Sequence, residues 1–281
     1  MPTYDTPAPI TAAIDLVVGD LRIGAADRGE TTVEVRPTDA SNDEDVTAAK
    51  QTRVDCTNGR LTVRAPKLRS WLSRKDGGSI DVTIELPAGS HVHATTGSAD
   101  VRCDGRLGDC RIATGLGNIR VDEAGTISLK SGIGDISVEH ATRHADVTTA
   151  SGDVRLRALD GSAVVKNSNG DTWVGVAGGD LRVRAANGRI TVDVAHASVV
   201  AKSANGDVRL GDVARGTVVL ETSLGDLEVG IRDGTAAWLD VSSSAGKVHN
   251  ALDAADAPEA SAETVEVRAR TSAGDVVIRR P

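Results

Sequence analysis

Phenylalanine is absent from this sequence, and tyrosine and methionine occur once each among 281 residues. Hydrophobic residues still make up 40 % of the chain, so the core must be built from valine, isoleucine, leucine and alanine. Small and branched side chains suit tight, repeated layers of strands better than an irregular globular core. Thirty glycines predict many turns.

Cysteine, basic charge and long apolar runs are also scarce. The chain has three cysteines, and this odd, small number argues against a secreted disulfide framework. The net charge of −8 lacks the basic footprint of nucleic-acid binders. The sequence shows neither a signal peptide nor an apolar run long enough to span a bilayer. We therefore expect a cytoplasmic protein that binds no nucleic acid, although a chain whose export signal had been removed would look the same.

One short pattern recurs along the chain: a glycine, a polar residue, then an apolar, a variable and an apolar residue, as in 152–156. The glycine returns about every 18 residues through the middle of the chain, with Ala99 in the same role. Counted from the glycine, apolar residues fall at positions +2 and +4, and again at −7 and −5, as at Ala145 and Val147. Both spacings are typical of strands with one buried face. Each block is therefore predicted to be a strand, a turn and a second strand.

Stacking of these blocks predicts an all-β fold, a β-solenoid of about twelve two-strand blocks in one domain over residues 1–281. Its parts are irregular early coils over 1–95, regular repeats over 96–249, a loop over 250–262 and a C-terminal coil over 263–281. The alternative is an antiparallel meander or propeller, which four Asn-Gly pairs favour because this dipeptide is typical of hairpin turns. The near-constant block length favours the solenoid.

The repeated unit, Ser/Thr/Asn-x-x-Gly-Asp-Val-x-Val/Leu, resembles a known bacterial family. Matching stretches are 82–89, 166–171 and 265–270. They resemble the β-strand repeat-containing proteins, or candidate adhesins, and are most similar to the actinobacterial members without an export signal. The resemblance covers nearly the whole chain. It implies a β-solenoid-like fold and an adhesin or scaffold role, and it supplies no catalytic residues.

A stacked row of carboxylates suggests calcium, because Asp follows the repeat glycine (or Ala99) at positions 20, 100, 135, 153, 171, 207, 226 and 275. Three blocks carry Arg60, Arg189 and Lys247 at this position instead, and a row of cation sites would not tolerate them. We therefore expect no metal and no cofactor. The glycine should shape the turn and the Asp should accept backbone N–H groups, while Arg189 pairs with Asp171 and Asp207.

Other metal and thiol hypotheses are weaker. His91 and His93 share a strand face, but no third ligand is predictable near them. His140 and His144 lie four residues apart in a connection between strands, where we expect surface residues rather than a zinc site. The thiols at 103 and 110 fall at inward positions and should act as small core hydrophobes.

Five residues are candidates for contact with a partner. Trp173 and Trp238 fall at outward positions, and Arg155 and Arg209 at position +3 belong to a mixed-charge outer face. Trp71 lies in the basic amphipathic stretch 67–75, for which we do not expect contact with a membrane surface.

Enzyme signatures are missing, including Gly-x-Ser-x-Gly, His-Glu-x-x-His, phosphate-binding loops and dinucleotide fingerprints. We therefore expect a non-enzymatic interaction or scaffold module that binds proteins or itself. The alternatives are a self-assembling filament, because solenoid ends expose unpaired strand edges, and a solenoid enzyme acting on polysaccharides.

Overall fold

Strands dominate the computed structural model, which describes residues 2–66, 78–252 and 263–281. The first part of the chain contains one helix, α1 (Asp43–Gln51), and the strands β1 (Thr3–Asp5), β2 (Thr11–Ala26), β3 (Glu30–Pro37), β4 (Arg53–Thr57), β5 (Arg60–Arg64), β6 (Ile80–Pro87), β7 (His91–Leu107), β8 (Cys110–Leu116), β9 (Ile119–Ala124), β10 (Ile127–Ile133) and β11 (Ile136–Ala141). The second part contains β12 (Ala145–Ser151), β13 (Val154–Leu159), β14 (Ala163–Asn169), β15 (Thr172–Ala177), β16 (Leu181–Asn187), β17 (Ile190–Ala195), β18 (Val199–Lys202), β19 (Val208–Val213), β20 (Gly216–Leu224), β21 (Leu227–Ile231), β22 (Ala236–Ala245), β23 (Val248–Asn250), β24 (Thr264–Ala273) and β25 (Val276–Arg279).

The chain forms two compact units, Met1–Val138 and Glu139–Pro281. In unit 2, consecutive blocks pair in parallel and in register, so that Val165 lies opposite Val183 and Val174 lies opposite Val192. Parallel pairing at one-block spacing confirms the β-solenoid prediction, and the antiparallel meander or propeller is wrong for these blocks. A single domain over 1–281 stays a prediction.

The four Asn-Gly pairs do not share one structure. Asn58 and Gly59 have φ values of 52° and 71° and form the hairpin turn between the antiparallel strands β4 and β5. The other three asparagines stack instead: Asn187 Nδ2 donates to Asn169 Oδ1 (2.9 Å), and Asn205 Nδ2 donates to Asn187 Oδ1 (2.9 Å). The hairpin prediction is therefore correct for one of the four pairs. Gly59, which precedes Arg60, belongs to this hairpin, and its assignment to the repeat is wrong.

Repeat glycines form the corners of the coils. Gly188 has a φ of 129°, a conformation that L side chains rarely adopt. A Cβ placed there would overlap the carbonyl oxygen of Gly170 in the previous coil. The corner therefore requires glycine both for its backbone conformation and for the closeness of the previous coil.

The core contains the residue pairs that the repeat predicts, and two further rows. Leu181, Val183, Ile190 and Val192, at positions −7, −5, +2 and +4 of one block, are all 2 % exposed or less. One further row, at position +7, is apolar: Leu159, Ala177, Ala195 and Val213. The other, at position −3, is polar and mostly hydroxyl-bearing: Thr96, Thr114, Ser131, Thr149, Asn167, Ser203, Thr222 and Thr271.

In unit 1 the coils do not follow chain order. Strand β2 pairs in parallel with β7 on one side and with β5 and β6 on the other. The early chain adds antiparallel pairs, β1 with β3, β3 with β6 and β4 with β5. Helix α1 is fixed by its buried Asp45, which accepts the backbone N–H groups of Asp39 (3.0 Å) and Ser79 (2.8 Å). The irregularity predicted over 1–95 therefore combines an inserted coil with antiparallel strands and a helix.

In unit 2 the C-terminal coil is also inserted. Strands β24 and β25 pair with β20 and β21 on one side and with β22 and β23 on the other. The coil of β22 and β23, which precedes it in the chain, is therefore the outer one. The predicted loop over 250–262 falls largely outside the described residues.

Candidate functional site

In most coils the residue after the repeat glycine is joined to a neighbouring coil by a hydrogen bond between a backbone N–H and a side-chain oxygen. The N–H of Arg189 donates to Asp171 Oδ1 (2.8 Å), and the N–H of Asp135 donates to the amide oxygen of Asn118 (2.9 Å). The predicted role of the Asp as a backbone acceptor is confirmed, although the N–H belongs to the neighbouring coil. The Arg189 guanidinium lies 3.6 Å from Asp207. It therefore pairs with one of its two predicted carboxylates, and only its N–H meets the other.

Three carboxylates meet beside a shallow depression of about 300 Å³ in unit 1. Asp20 lies in register with Asp81 and Asp100, and the Thr38 hydroxyl donates to Asp81 Oδ1 (2.9 Å). Partial burial raises the pKa of Asp20, and the two neighbouring carboxylates raise it further. Among the described residues, no group of three or more His, Cys, Asp or Glu side chains is arranged to hold a metal ion.

The row at position −3 links coils from inside the core. The Thr222 hydroxyl donates to the Gly206 carbonyl (3.0 Å), and Asn167 Nδ2 donates to the Gly152 carbonyl (3.0 Å). Ser203 and Thr96 depart from this pattern: they are 9 % and 5 % exposed, and neither hydroxyl has a hydrogen-bond partner among the described residues. These contacts give a structural role to the Ser, Thr or Asn of the repeat motif, which the sequence reasoning did not assign.

The histidines make local contacts. The backbone N–H of Asp109 donates to His91 Nδ1 (2.8 Å). His140 Nε2 lies 2.9 Å from Asp160, and His144 Nδ1 lies 3.0 Å from the Ser162 hydroxyl. His140 and His144 thus have separate partners, as expected of surface residues.

Cys103 and Cys110 are both buried, as their inward positions predict. The hydrogen bond to Cys110 and burial hold the pKa of the Cys103 thiol well above its usual value. The thiol is therefore protonated at neutral pH, which fits a core hydrophobe rather than a nucleophile.

The tryptophans have different surroundings. Trp173 is half-buried, its ring lies over Gly175, and its Nε1 donates to Asp193 (3.1 Å). Trp238 is 73 % exposed on β22. Trp71 and the stretch 67–75 lie in a segment, 67–77, outside the described residues.

The two candidate arginines lie on the outer face of the strand stack that contains Trp173. Arg155 pairs with Asp153 (3.3 Å) and Arg209 with Glu228 (3.6 Å). Arg155 also lies in register with Trp173. Contact of these residues with a partner stays a prediction.

A row of cations was missed in the sequence. Lys166, Arg184 and Lys202 lie in register on β14, β16 and β18 at position −4, and we call them the basic row. Counting outward residues at −4 as well as at +3 would have revealed it. No helix in the described part of the chain is long and apolar enough to cross a membrane.

Known proteins place this architecture in a family. No curated protein matches the chain. Solved structures with a similar fold include candidate adhesins from Bacteroides fragilis NCTC 9343 (13 % identity, TM-score 0.43, covering 100 % of this chain and 95 % of that one) and Parabacteroides merdae ATCC 43184 (11 %, 0.45, 100 % and 96 %). A candidate cell adhesion protein from Clostridium sporogenes ATCC 15579 shares 11 % identity with a TM-score of 0.23, covering 100 % of this chain and 98 % of that one. The family model described as Toastrack DUF4097 matches residues 13–279, and the chain therefore belongs to the Toastrack DUF4097 family.

Proposed function

We propose that this chain is a non-enzymatic, adhesin-like interaction or scaffold module that works in the cytoplasm. The observation that supports this proposal is that the repeated polar residues form hydrogen bonds between coils. The carboxylates at the corners accept N–H groups of the next coil, and the hydroxyls at −3 donate to carbonyls of the preceding coil. These groups hold the ladder together, so the outward rows are what the molecule offers to a partner.

The contact face that we propose contains Trp173, Arg155 and Arg209, which lie on β15, β13 and β19 of one strand stack in unit 2. An aromatic ring beside arginines is a common composition for the centre of a protein interface. Trp71 and Trp238 are further proposed contacts outside this face.

Comparative capture from a native cytoplasmic extract tests this face. A protein that binds the full chain should be lost from a variant with Trp173→Ser, Arg155→Gln and Arg209→Gln. It should be retained by a control with Arg268→Gln, which removes a charge from the other strand stack. Equal capture by both variants would contradict the proposed face. Turnover of a polysaccharide that disappears with Asp20→Asn and Asp100→Asn would instead support the enzyme alternative.

A second candidate, self-association, is favoured by the outer coil of unit 2. Leu239, Val241 and Val248 lie in register with residues that are fully buried in the next coil, yet they are half-buried or, for Val248, 44 % exposed. Apolar core positions left open in this way favour covering by another molecule.

Light scattering after size-exclusion chromatography tests self-association. A mass that rises with concentration, is lost with Val241→Lys and is kept with the outward control Ser242→Lys would support it. A monomer at every concentration rules it out.

A further inference from the structure

The basic row sets three cations directly opposite one another. Lys166 is paired in register with Arg184, and Arg184 with Lys202. Neighbouring strands lie about 4.8 Å apart, so like charges this close destabilise the sheet. Arg182 adds a fourth cation, which is exposed, on the same strand face as Arg184.

Compensation of this charge is incomplete. Lys202 pairs with Glu221 (2.6 Å), but the described residues place no ion-pair partner within 4.0 Å of Lys166 or Arg184. The arginines of the other strand stack differ, because Arg155 and Arg209 each have a carboxylate partner. The basic row therefore retains positive charge that an external anion would neutralise.

A shallow depression of about 550 Å³ adjoins the row. It exists because β18 ends at Lys202, while the neighbouring strands continue to Asn187 and Leu224, and because Ala185 and Ala204 have small side chains. The lining includes the cations Arg184, Lys202 and Arg270, the carboxylate Glu221 that pairs with Lys202, and the exposed serines Ser223, Ser242, Ser244 and Ser272. Ser203, Thr222 and Thr271 lie beneath them as buried residues.

One lining residue is an unsatisfied polar group. Ser203 is more than nine-tenths buried, and its Oγ has no hydrogen-bond partner, whereas the Thr222 hydroxyl in the next coil donates to Gly206. An unpaired buried hydroxyl is costly, and native proteins keep few of them. Ser203 lies at the inward position −3, so the unpaired cations of the basic row, rather than this hydroxyl, are the groups that a ligand on the outer surface meets.

We propose that the basic row and its depression bind an acidic oligosaccharide, with the sugar chain running across the strands. Its carboxylate or sulfate groups would meet the cations of successive coils, and its hydroxyls would meet the exposed serines of the depression. No aromatic residue lies among the described residues that line the depression, so it offers nothing on which nucleic-acid bases could stack. This site lies outside the face proposed for the interaction module, and neither proposal depends on the other.

Titration calorimetry on the full chain tests the site with oligogalacturonate, a sulfated oligosaccharide and a neutral oligogalactan of matched length. We expect one of the acidic sugars to bind and the neutral sugar not to bind, with affinity that falls as salt is raised. The variant Lys166→Gln, Arg184→Gln, Lys202→Gln should weaken binding at least about tenfold. The matched control Arg155→Gln, Arg157→Gln, Arg209→Gln removes the same charge from the other stack and should bind normally.

Three results would overturn the assignment: no heat with either acidic sugar, equal loss in both triple variants, or equal affinity for single-stranded DNA or an acidic peptide of the same charge. The last result would mean that charge alone is recognised. Circular dichroism checks folding, and removal of like charges should not lower the melting temperature. If the triple variant fails to fold, Arg184→Gln alone, at an exposed position without an ion pair, gives the same comparison with Arg155→Gln.

Discussion

At the corner of each regular coil, a glycine and the residue after it have separate tasks. The glycine at 188 adopts a φ of 129° against the carbonyl of Gly170, and the Asp at 171 accepts the N–H of Arg189. An Asn can replace the Asp, as at Asn118, because the amide oxygen accepts the same bond. An acceptor oxygen rather than a negative charge is therefore what this hydrogen bond requires.

Substitution of one corner glycine should be costly. Gly188→Ala should lower the free energy of unfolding by about 2 kcal/mol or more. The φ of 129° is unfavourable for alanine, and the added Cβ would overlap the Gly170 carbonyl of the previous coil. Gly29→Ala is the control, since nothing lies within 4 Å of a Cβ there. Urea unfolding measures both variants, and similar stabilities would contradict the corner requirement.

Neutralising Asp20 should stabilise the protein at neutral pH. Its pKa is raised in the folded state, so the folded state holds the proton more tightly than the unfolded state does, and stability falls as pH rises through this range. Asp20→Asn keeps an acceptor oxygen and removes the repulsion from Asp81 and Asp100. We expect a gain of about 0.5 kcal/mol at pH 7, because solvent screens the repulsion between these partly exposed groups. Thermal unfolding from pH 3 to 7 measures it, and a gain that shrinks with rising pH would refute the sign.

At the scale of the element, one dipeptide produces two structures. Asn58 and Gly59 turn a hairpin, whereas Asn169, Asn187 and Asn205 form a stacked row of amides before corner glycines. The local sequence cannot separate these cases, because the neighbour that accepts the amide lies one coil away. The row at −3 is similar, since its acceptors are carbonyls of another coil.

Loss of one hydroxyl at −3 should depend on its partner. Thr222→Val should cost about 1 to 2 kcal/mol, because the Gly206 and Leu224 carbonyls lose a donor. Ser203→Ala should cost less, because its Oγ has no partner to lose. Chemical denaturation measures the free energy of unfolding of both variants. Equal losses would show that the hydrogen bond to the carbonyls does not set the cost of removing the hydroxyl.

At the scale of the whole molecule, each unit places one coil out of chain order. Strand β2 enters between β5/β6 and β7, and β24 enters between β20 and β22. The last described coil of the chain is thereby held on both sides. The coil of β22 and β23 becomes the outer coil among the described strands, and its inward apolar side chains stay partly exposed.

Hydrogen exchange should follow this order of coils rather than chain order. Amides of β24, paired on both sides, should exchange more slowly than amides of β22, for which the described residues provide a partner on one side. Mass spectrometry of peptides from the two strands gives the comparison. Faster exchange in β24 would mean that the C-terminal coil does not stay inserted.

The sequence by itself determined the strand class, the block length, the four main core positions and the backbone role of the Asp, because each follows from a short period repeated many times. The tertiary structure decided the order of coils, the structures of the Asn-Gly pairs and the position of the basic row. Strand edges pair through a backbone common to all residues, and coils with equivalent inward rows are nearly interchangeable neighbours. Which coil lies beside which therefore depends on long-range connections that no local pattern encodes.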